Sequence, residues 1–212
     1  MSTAKIRGLL AHEIEIHTFR AVAGEESPLA LLSVGLGNSL ETEEGLAIYY
    51  AQETARHISA NEPNKTWIGT LATGLASGAM GKPYTFLKLL SFLEGVNVVR
   101  SLLAEGHQTL SEIQERAQKN AQSRCLRTWR GVTNLTRPGI CSTKDHVYLR
   151  GYLAVNQALE NNEILFEQLM VGAVGLHHTD DMRELDIVAP RIIHQKLAID
   201  PNLEESISRF IE

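Results

Sequence analysis

Two histidines and a glutamate near the start of the chain have the residue types and the order of a metal-dependent hydrolase site. His12, Glu13 and His17 lie in the segment LLAHEIEIHTFR, which has the form H-E-x-x-x-H. Catalytic Zn²⁺ takes three protein ligands, commonly neutral imidazoles and a carboxylate, and keeps one position open for water. A glutamate directly after the first histidine can act as general base towards such a water, whose pKa the metal lowers. The segment therefore predicts one zinc ion held by His12 and His17, with Glu13 as the catalytic base.

The spacing of the two histidines predicts a distortion of the helix that carries them. Each residue of an α-helix advances by about 100°, so side chains five positions apart point about 140° away from each other. That angle is too wide for two imidazoles to share one ion. A π-type widening brings the fifth residue back to the same side, and such widenings are frequent at functional sites. We therefore expect a local π-bulge between Glu13 and His17.

The acidic segment ETEEGLA, residues 41–47, is expected to supply the third ligand. Glu44 lies near the start of the second predicted helix, and the adjacent Gly45 would allow another helix to approach closely. Glu41 and Glu43 remain alternatives when only the residues are considered. Acidic residues near a helix start are also stabilised by the helix dipole without any metal. The residues by themselves therefore leave the third ligand open.

The order HEIEIH and then TEEGLA resembles the tubulin–tyrosine carboxypeptidase family, whose bacterial relatives are described as QEGLA-motif proteins. Glu43 stands where that family usually has glutamine. A third block is similar as well: Arg127-Thr-Trp-Arg130-Gly131 followed by Thr143-Lys-Asp-His-Val-Tyr-Leu149. The resemblance implies a zinc carboxypeptidase in which Glu44 is the third metal ligand.

Three residues of this third block are candidates for substrate binding. Arg130 and Lys144 could pair with the terminal carboxylate of a peptide, and Tyr148 could donate a hydrogen bond to a developing oxyanion. Asp145 could orient a ligand histidine from behind. The alternatives are a solvated helix face for the basic residues and ordinary helix packing for Tyr148. The adjacent His177 and His178 are not expected to bind a metal, because neighbouring side chains rarely point the same way.

Composition and charge exclude several classes of protein. The 212 residues carry a formal net charge of -5, whereas nucleic-acid binders usually have a basic excess. No apolar run approaches the length of a membrane span. Cys125 and Cys141 are interpreted as reduced thiols, since two cysteines form no disulfide framework. We expect a cytoplasmic protein whose partner is a peptide or protein C-terminus, not a nucleic acid or a membrane.

Helical periodicity dominates the chain and predicts a mainly α fold, a zincin-like helical metallopeptidase domain. Thr42 is the expected N-cap of the second helix, and Pro83 the expected first residue of a later one. The segment near 131–143 is expected to form a loop or a short hairpin. Predicted helices cover 3–22, 42–58, 65–77, 83–104, 111–130 and 144–159, with shorter ones after residue 162. Family members carry a region upstream of the motif, so 1–212 is expected to be a single domain lacking an N-terminal region.

Two functions compete at this point. The leading hypothesis is a carboxypeptidase that removes a C-terminal residue with metal-activated water and Glu13 as general base. The alternative is a non-catalytic metal-binding or regulatory protein that retains a structural zinc site, which would have four protein ligands and no open position. No residue pattern indicates tubulin as the substrate.

Overall fold

The computed structural model describes residues 3–58, 66–104 and 109–190. The helices in these ranges, in chain order, are α1 (Thr3–Leu10), a π-helix (Ala11–Thr18), α2 (Phe19–Glu26), α3 (Leu31–Val34), α4 (Ser39–Ile58), α5 (Thr66–Ser77), α6 (Phe86–Leu103), α7 (Leu110–Thr128), α8 (Lys144–Glu160), two 3₁₀ turns (Phe166–Leu169 and Leu176–His178) and α9 (Thr179–Glu184). No strand occurs within the described ranges, so the prediction of a mainly α protein is confirmed. The segment 131–143 consists of turns and irregular backbone, which matches the predicted loop and excludes the hairpin. None of the described helices combines the length and the apolar character needed to cross a membrane.

The chain divides into two compact units that are discontinuous in sequence. The first unit combines the described parts of 1–64 and 147–212, and the second comprises those of 65–146. The single domain expected from the sequence stays a prediction.

Two predicted helix starts are wrong. Helix α4 begins at Ser39, and Thr42 lies inside it, where its hydroxyl accepts a hydrogen bond from the backbone N–H of Leu176 (3.0 Å). Helix α6 begins at Phe86, not at Pro83. Thr85 has an extended backbone and its hydroxyl accepts a hydrogen bond from the backbone N–H of Lys88 (3.4 Å), so it provides the N-cap.

Helices α4 and α8 cross in the first unit with their backbones in contact. A Cβ atom placed on Gly45 would lie 2.1 Å from the carbonyl carbon of Gly151, and one placed on Gly151 would lie 1.9 Å from the carbonyl oxygen of Glu41. No side chain larger than hydrogen fits at either position. The expectation that Gly45 permits a close helix approach is therefore confirmed, and the crossing fixes the helix that carries Glu44.

Each unit has its own buried apolar cluster. The core of the first unit next to the π-helix contains Ile16, Leu46, Ala47, Val155, Leu169 and Met170. The core of the second unit contains Ile68, Ala72, Ala76, Leu89, Leu93, Ala121, Cys125 and Trp129. Because Ile16 and Leu46 pack into one core, the π-helix and α4 are held side by side.

Candidate metal centre

The predicted widening of the first helix is present over a full π-helical segment, Ala11–Thr18. Its register is visible at the end of the segment, where the backbone N–H of Phe19 reaches the carbonyl of Ile14, five residues earlier. The hydroxyl of Thr18 donates to the carbonyl of Glu13 at 2.9 Å. This geometry places the rings of His12 and His17 on the same side of the helix, with their centroids 4.8 Å apart.

Glu44 faces both imidazoles from α4. Its Oε2 atom lies 3.8 Å from Nε2 of His12 and 3.8 Å from Nε2 of His17. One possible ligand atom from each of the three residues lies within 4.8 Å of the others. Tetrahedral zinc with ligand distances of about 2.0–2.2 Å separates its ligand atoms by roughly 3.4 Å. The two Glu44 distances exceed this value by about 0.4 Å and the widest separation exceeds it by about 1.4 Å, so the two imidazoles would have to move towards each other to share a zinc ion with Glu44.

The other two glutamates of the segment have different partners. Glu43 contacts His17 from the opposite side of the ring, with its Oε1 atom 2.7 Å from Nδ1. Glu41 pairs with the exposed guanidinium of Arg150 at 3.3 Å. Of the three glutamates that are candidates for the third ligand, Glu44 is thus the one whose carboxylate is directed at the Nε2 atoms of His12 and His17.

A buried arginine supports the carboxylate behind His17. Arg20 has a fully buried side chain, and its Nη1 atom donates to the Oε2 atom of Glu43. Its Nε and Nη2 atoms donate to the carbonyls of Gly172 (3.0 Å) and Val174 (2.7 Å). Arg20 is not among the residues predicted from the sequence, where its local signal is a cation three positions after His17.

The two histidines have opposite pKa shifts. Burial lowers the pKa of His12, and the neighbouring His17 lowers it further. The hydrogen bond with Glu43 raises the pKa of His17 in spite of its burial. A low pKa favours the neutral imidazole that a metal needs, and a carboxylate behind a histidine increases its strength as a ligand.

Glu13 is close to the cluster and open to solvent. Its side chain is exposed on the π-helix between the two histidines. Its charge opposes the lowering of the His12 pKa by burial and adds to the effect of Glu43 on the pKa of His17. A carboxylate in this position can exchange protons with water beside the imidazoles.

The predicted substrate-binding residues are divided between the units. Arg130, exposed just after α7, and Lys144, exposed at the first position of α8, belong to the second unit. Tyr148 is half-buried on α8 in the first unit, as are the three ligand candidates. The roles of all three residues in substrate binding stay predictions.

The predicted role of Asp145 behind a ligand histidine is wrong. Asp145 is buried in the second unit, and its two carboxylate oxygens accept hydrogen bonds from Arg124 and Arg127, each at 2.7 Å. Its backbone carbonyl accepts a bond from the hydroxyl of Thr70 at 3.2 Å. These contacts attach the start of α8 to α7 and α5, which is a structural role.

The rings of His177 and His178 lie side by side, contrary to the expectation that neighbouring side chains point in different directions. The two rings lie 3.8 Å apart, and Nδ1 of His178 accepts a hydrogen bond from the backbone N–H of Gly175 at 2.9 Å. In the part of the chain that the structure describes, His12, His17 and Glu44 form the group that could hold a metal ion.

No protein-family model matches this chain, and no match was found among curated proteins. The resemblance to the tubulin–tyrosine carboxypeptidase family therefore depends on the motif residues themselves.

Proposed function

We propose that this protein is a zinc-dependent peptidase of zincin-like type, and specifically a carboxypeptidase. The observation that carries the proposal is the convergence of His12 Nε2, His17 Nε2 and Glu44 Oε2 across a π-helix and α4. Two imidazoles and one carboxylate are a donor set of catalytic zinc sites. Bound there, zinc would polarise a peptide carbonyl and lower the pKa of a water molecule.

Glu13 is the proposed general base. Its carboxylate would take a proton from the attacking water and return it to the leaving amine, a role that requires a carboxylate beside the histidines. Its exposure supports this role, because a peptide and a water molecule must reach it from solvent. Its position in the π-helix keeps its charge near both imidazoles without making it one of the three converging ligand groups.

The proposed substrate is the C-terminus of a peptide or protein. Tyr148 would donate to the developing oxyanion, and its position supports this, because it lies one helical turn before Gly151, where α8 touches α4. The guanidinium of Arg130 and the ammonium of Lys144 would pair with the terminal carboxylate. Both are exposed, which leaves their charges accessible from solvent.

The test compares zinc content and peptide hydrolysis in wild type, His12→Ala and Glu13→Gln. We expect about one zinc ion per chain in wild type and in Glu13→Gln, and loss of zinc in His12→Ala. Turnover of C-terminal peptides should fall by about 10²–10⁴-fold in Glu13→Gln. Glu26→Gln, an exposed glutamate at the end of α2, is the matched control and should keep both zinc and activity.

Two results would decide against the proposal in different ways. Stoichiometric zinc without turnover on any C-terminal peptide of a library would favour a structural or regulatory site. Absence of zinc from wild type that was purified and reconstituted with zinc would contradict the metal centre itself.

A further inference from the structure

Glu43 contacts the ring of His17 on the side away from Glu44. Its Oε1 atom lies 2.7 Å from Nδ1, while Nε2 of the same ring lies 3.8 Å from Oε2 of Glu44. An ionised carboxylate can only accept hydrogen bonds, so the Nδ1 atom must carry the proton that joins them. In the neutral ring the lone pair of His17 is then on Nε2, the atom directed at the other ligand groups.

Arg20 determines where Glu43 can be. Its guanidinium is anchored on the carbonyls of Gly172 and Val174, and its side chain is only 1% exposed. Rotating it would remove the donor of the buried Val174 carbonyl, which is costly, and would leave the Gly172 carbonyl with the backbone N–H of Val174 alone. The Nη1 atom of Arg20 donates a hydrogen bond to the Oε2 atom of Glu43. Both oxygens of Glu43 are therefore engaged, one by a fixed cation and one by His17.

We propose that Glu43 is a positioning residue of the metal centre, which holds His17 as the Nδ1–H tautomer and so presents Nε2 to the ion, with Arg20 fixing Glu43. This inference rests on the proposed function in so far as that function includes a bound metal. It gives Glu43 a role that is distinct from that of its neighbour Glu44, although the two residues differ by one position in α4.

The family that the chain resembles usually has glutamine at this position, but in this chain both Arg20 and His17 contact Glu43, so the proposal requires the two acceptor oxygens of a carboxylate. The site has two donors, Arg20 Nη1–H and His17 Nδ1–H, and a glutamine has one acceptor oxygen. If the amide oxygen of Glu43→Gln accepts from Arg20, its NH₂ group faces Nδ1 and favours the opposite tautomer, with the proton on Nε2. That tautomer has no lone pair on the atom that should bind the metal.

The experiment measures zinc affinity and the tautomer of His17 in wild type, Glu43→Gln and Glu43→Ala. Affinity is obtained by competition between the protein and a chromogenic chelator for Zn²⁺ alone. The tautomer of the metal-free protein is obtained from the ¹⁵N chemical shifts of the His17 ring. Glu41→Gln is the matched control, because Glu41 lies in the same helix and also pairs with an arginine, the exposed Arg150. Thermal unfolding without metal confirms that each variant is folded.

At a pH high enough for the His17 ring to be neutral, we expect wild type to contain the Nδ1–H tautomer and Glu43→Gln to shift towards Nε2–H. Zinc affinity should fall about 10–100-fold in Glu43→Gln and in Glu43→Ala, as is usual for residues that orient a metal ligand. Glu41→Gln should change neither quantity.

Several outcomes would overturn the inference. An Nε2–H tautomer in wild type contradicts it whether or not any variant folds. Wild-type affinity in a folded Glu43→Gln contradicts it while leaving the proposed function intact, and so does an equal loss of affinity in Glu41→Gln. Absence of zinc binding by wild type contradicts the proposed function as well, so the two failures are distinguishable.

Discussion

Neighbouring glutamates of α4 contact different partners although their sequence context is almost the same. Glu44 faces two imidazoles, Glu43 joins His17 to Arg20, and Glu41 pairs with Arg150 near the surface. Successive residues of a helix turn by about 100°, so each side chain meets a different surface. Which one faces the histidines depends on the rotation of α4 about its axis. Tertiary packing sets that rotation, which is why the residues alone could not choose between the three.

Asp145 allows a prediction about a single buried charge. Replacing it in Asp145→Ala removes the acceptor of Arg124 and Arg127 and should destabilise the protein by about 1–3 kcal/mol. The cost stays moderate because the side chains of Arg124 and Arg127 are 28% and 46% exposed, so water can solvate them after the change. Urea unfolding, followed by the fluorescence of the buried Trp129, measures the difference.

The control for this prediction is Asp180→Ala. Asp180 also pairs with an arginine, Arg183, but both side chains are mostly exposed, and such pairs contribute at most about 1 kcal/mol. Equal losses of unfolding free energy in the two variants would show that burial of Asp145 has no special effect.

The π-helix and α4 show what local patterns can and cannot predict about an element. The π-helix followed from the spacing of His12 and His17, because one wider turn is the simplest way to bring them to one side. Helix α4 begins three residues before the predicted start at Thr42. Thr42 looked like a cap, but its hydroxyl bonds to Leu176, which is 134 positions away in the chain. A contact of that separation leaves no trace in the surrounding sequence.

The crossing of α4 and α8 leads to a prediction about a whole element. In Gly151→Ala the new Cβ would lie 1.9 Å from the carbonyl oxygen of Glu41, so α8 must move away from α4. We expect a loss of about 1–3 kcal/mol or more from this overpacking. Zinc affinity should fall as well, because Glu44 is carried on α4, whose packing against α8 is disturbed by the change. Unfolding in urea and chelator competition measure the two effects.

Gly95→Ala is the matched control in another helix. Gly95 lies inside α6, and a Cβ there would meet no atom within 4 Å. Alanine should therefore stabilise that helix by about 0.5–1 kcal/mol, since glycine is the less favourable residue in a helix interior. A similar loss of stability in both variants would contradict the assigned helix contact at Gly151.

At the scale of the whole molecule, the three ligand candidates are close together in the sequence, whereas the groups that hold them in place come from distant parts of the chain. His12, His17 and Glu44 fall within one short stretch of the chain, so their types and order could be recognised in the sequence. The carbonyls of Gly172 and Val174 that anchor Arg20 come from the far part of the same unit. Local periodicity predicted most helices, because their apolar faces recur within a few residues. The division into two units and the support of His17 depend on long-range contacts, which periodicity does not encode.

The position of the site within one unit predicts where a metal should stabilise the protein. A ligand whose free concentration is 100 times its dissociation constant stabilises the state that binds it by about 2.7 kcal/mol. The equilibrium constant for opening of that state then falls roughly 100-fold. The three ligand candidates join the π-helix to α4, and both belong to the first unit. Hydrogen exchange should therefore slow on addition of zinc in the π-helix and α4, and remain unchanged in α6 and α7 of the second unit. His12→Ala should show no zinc-dependent change in any helix. Equal slowing of α6 and α7 in wild type would mean that the two units open together, and stabilisation by the metal would then be a property of the whole chain.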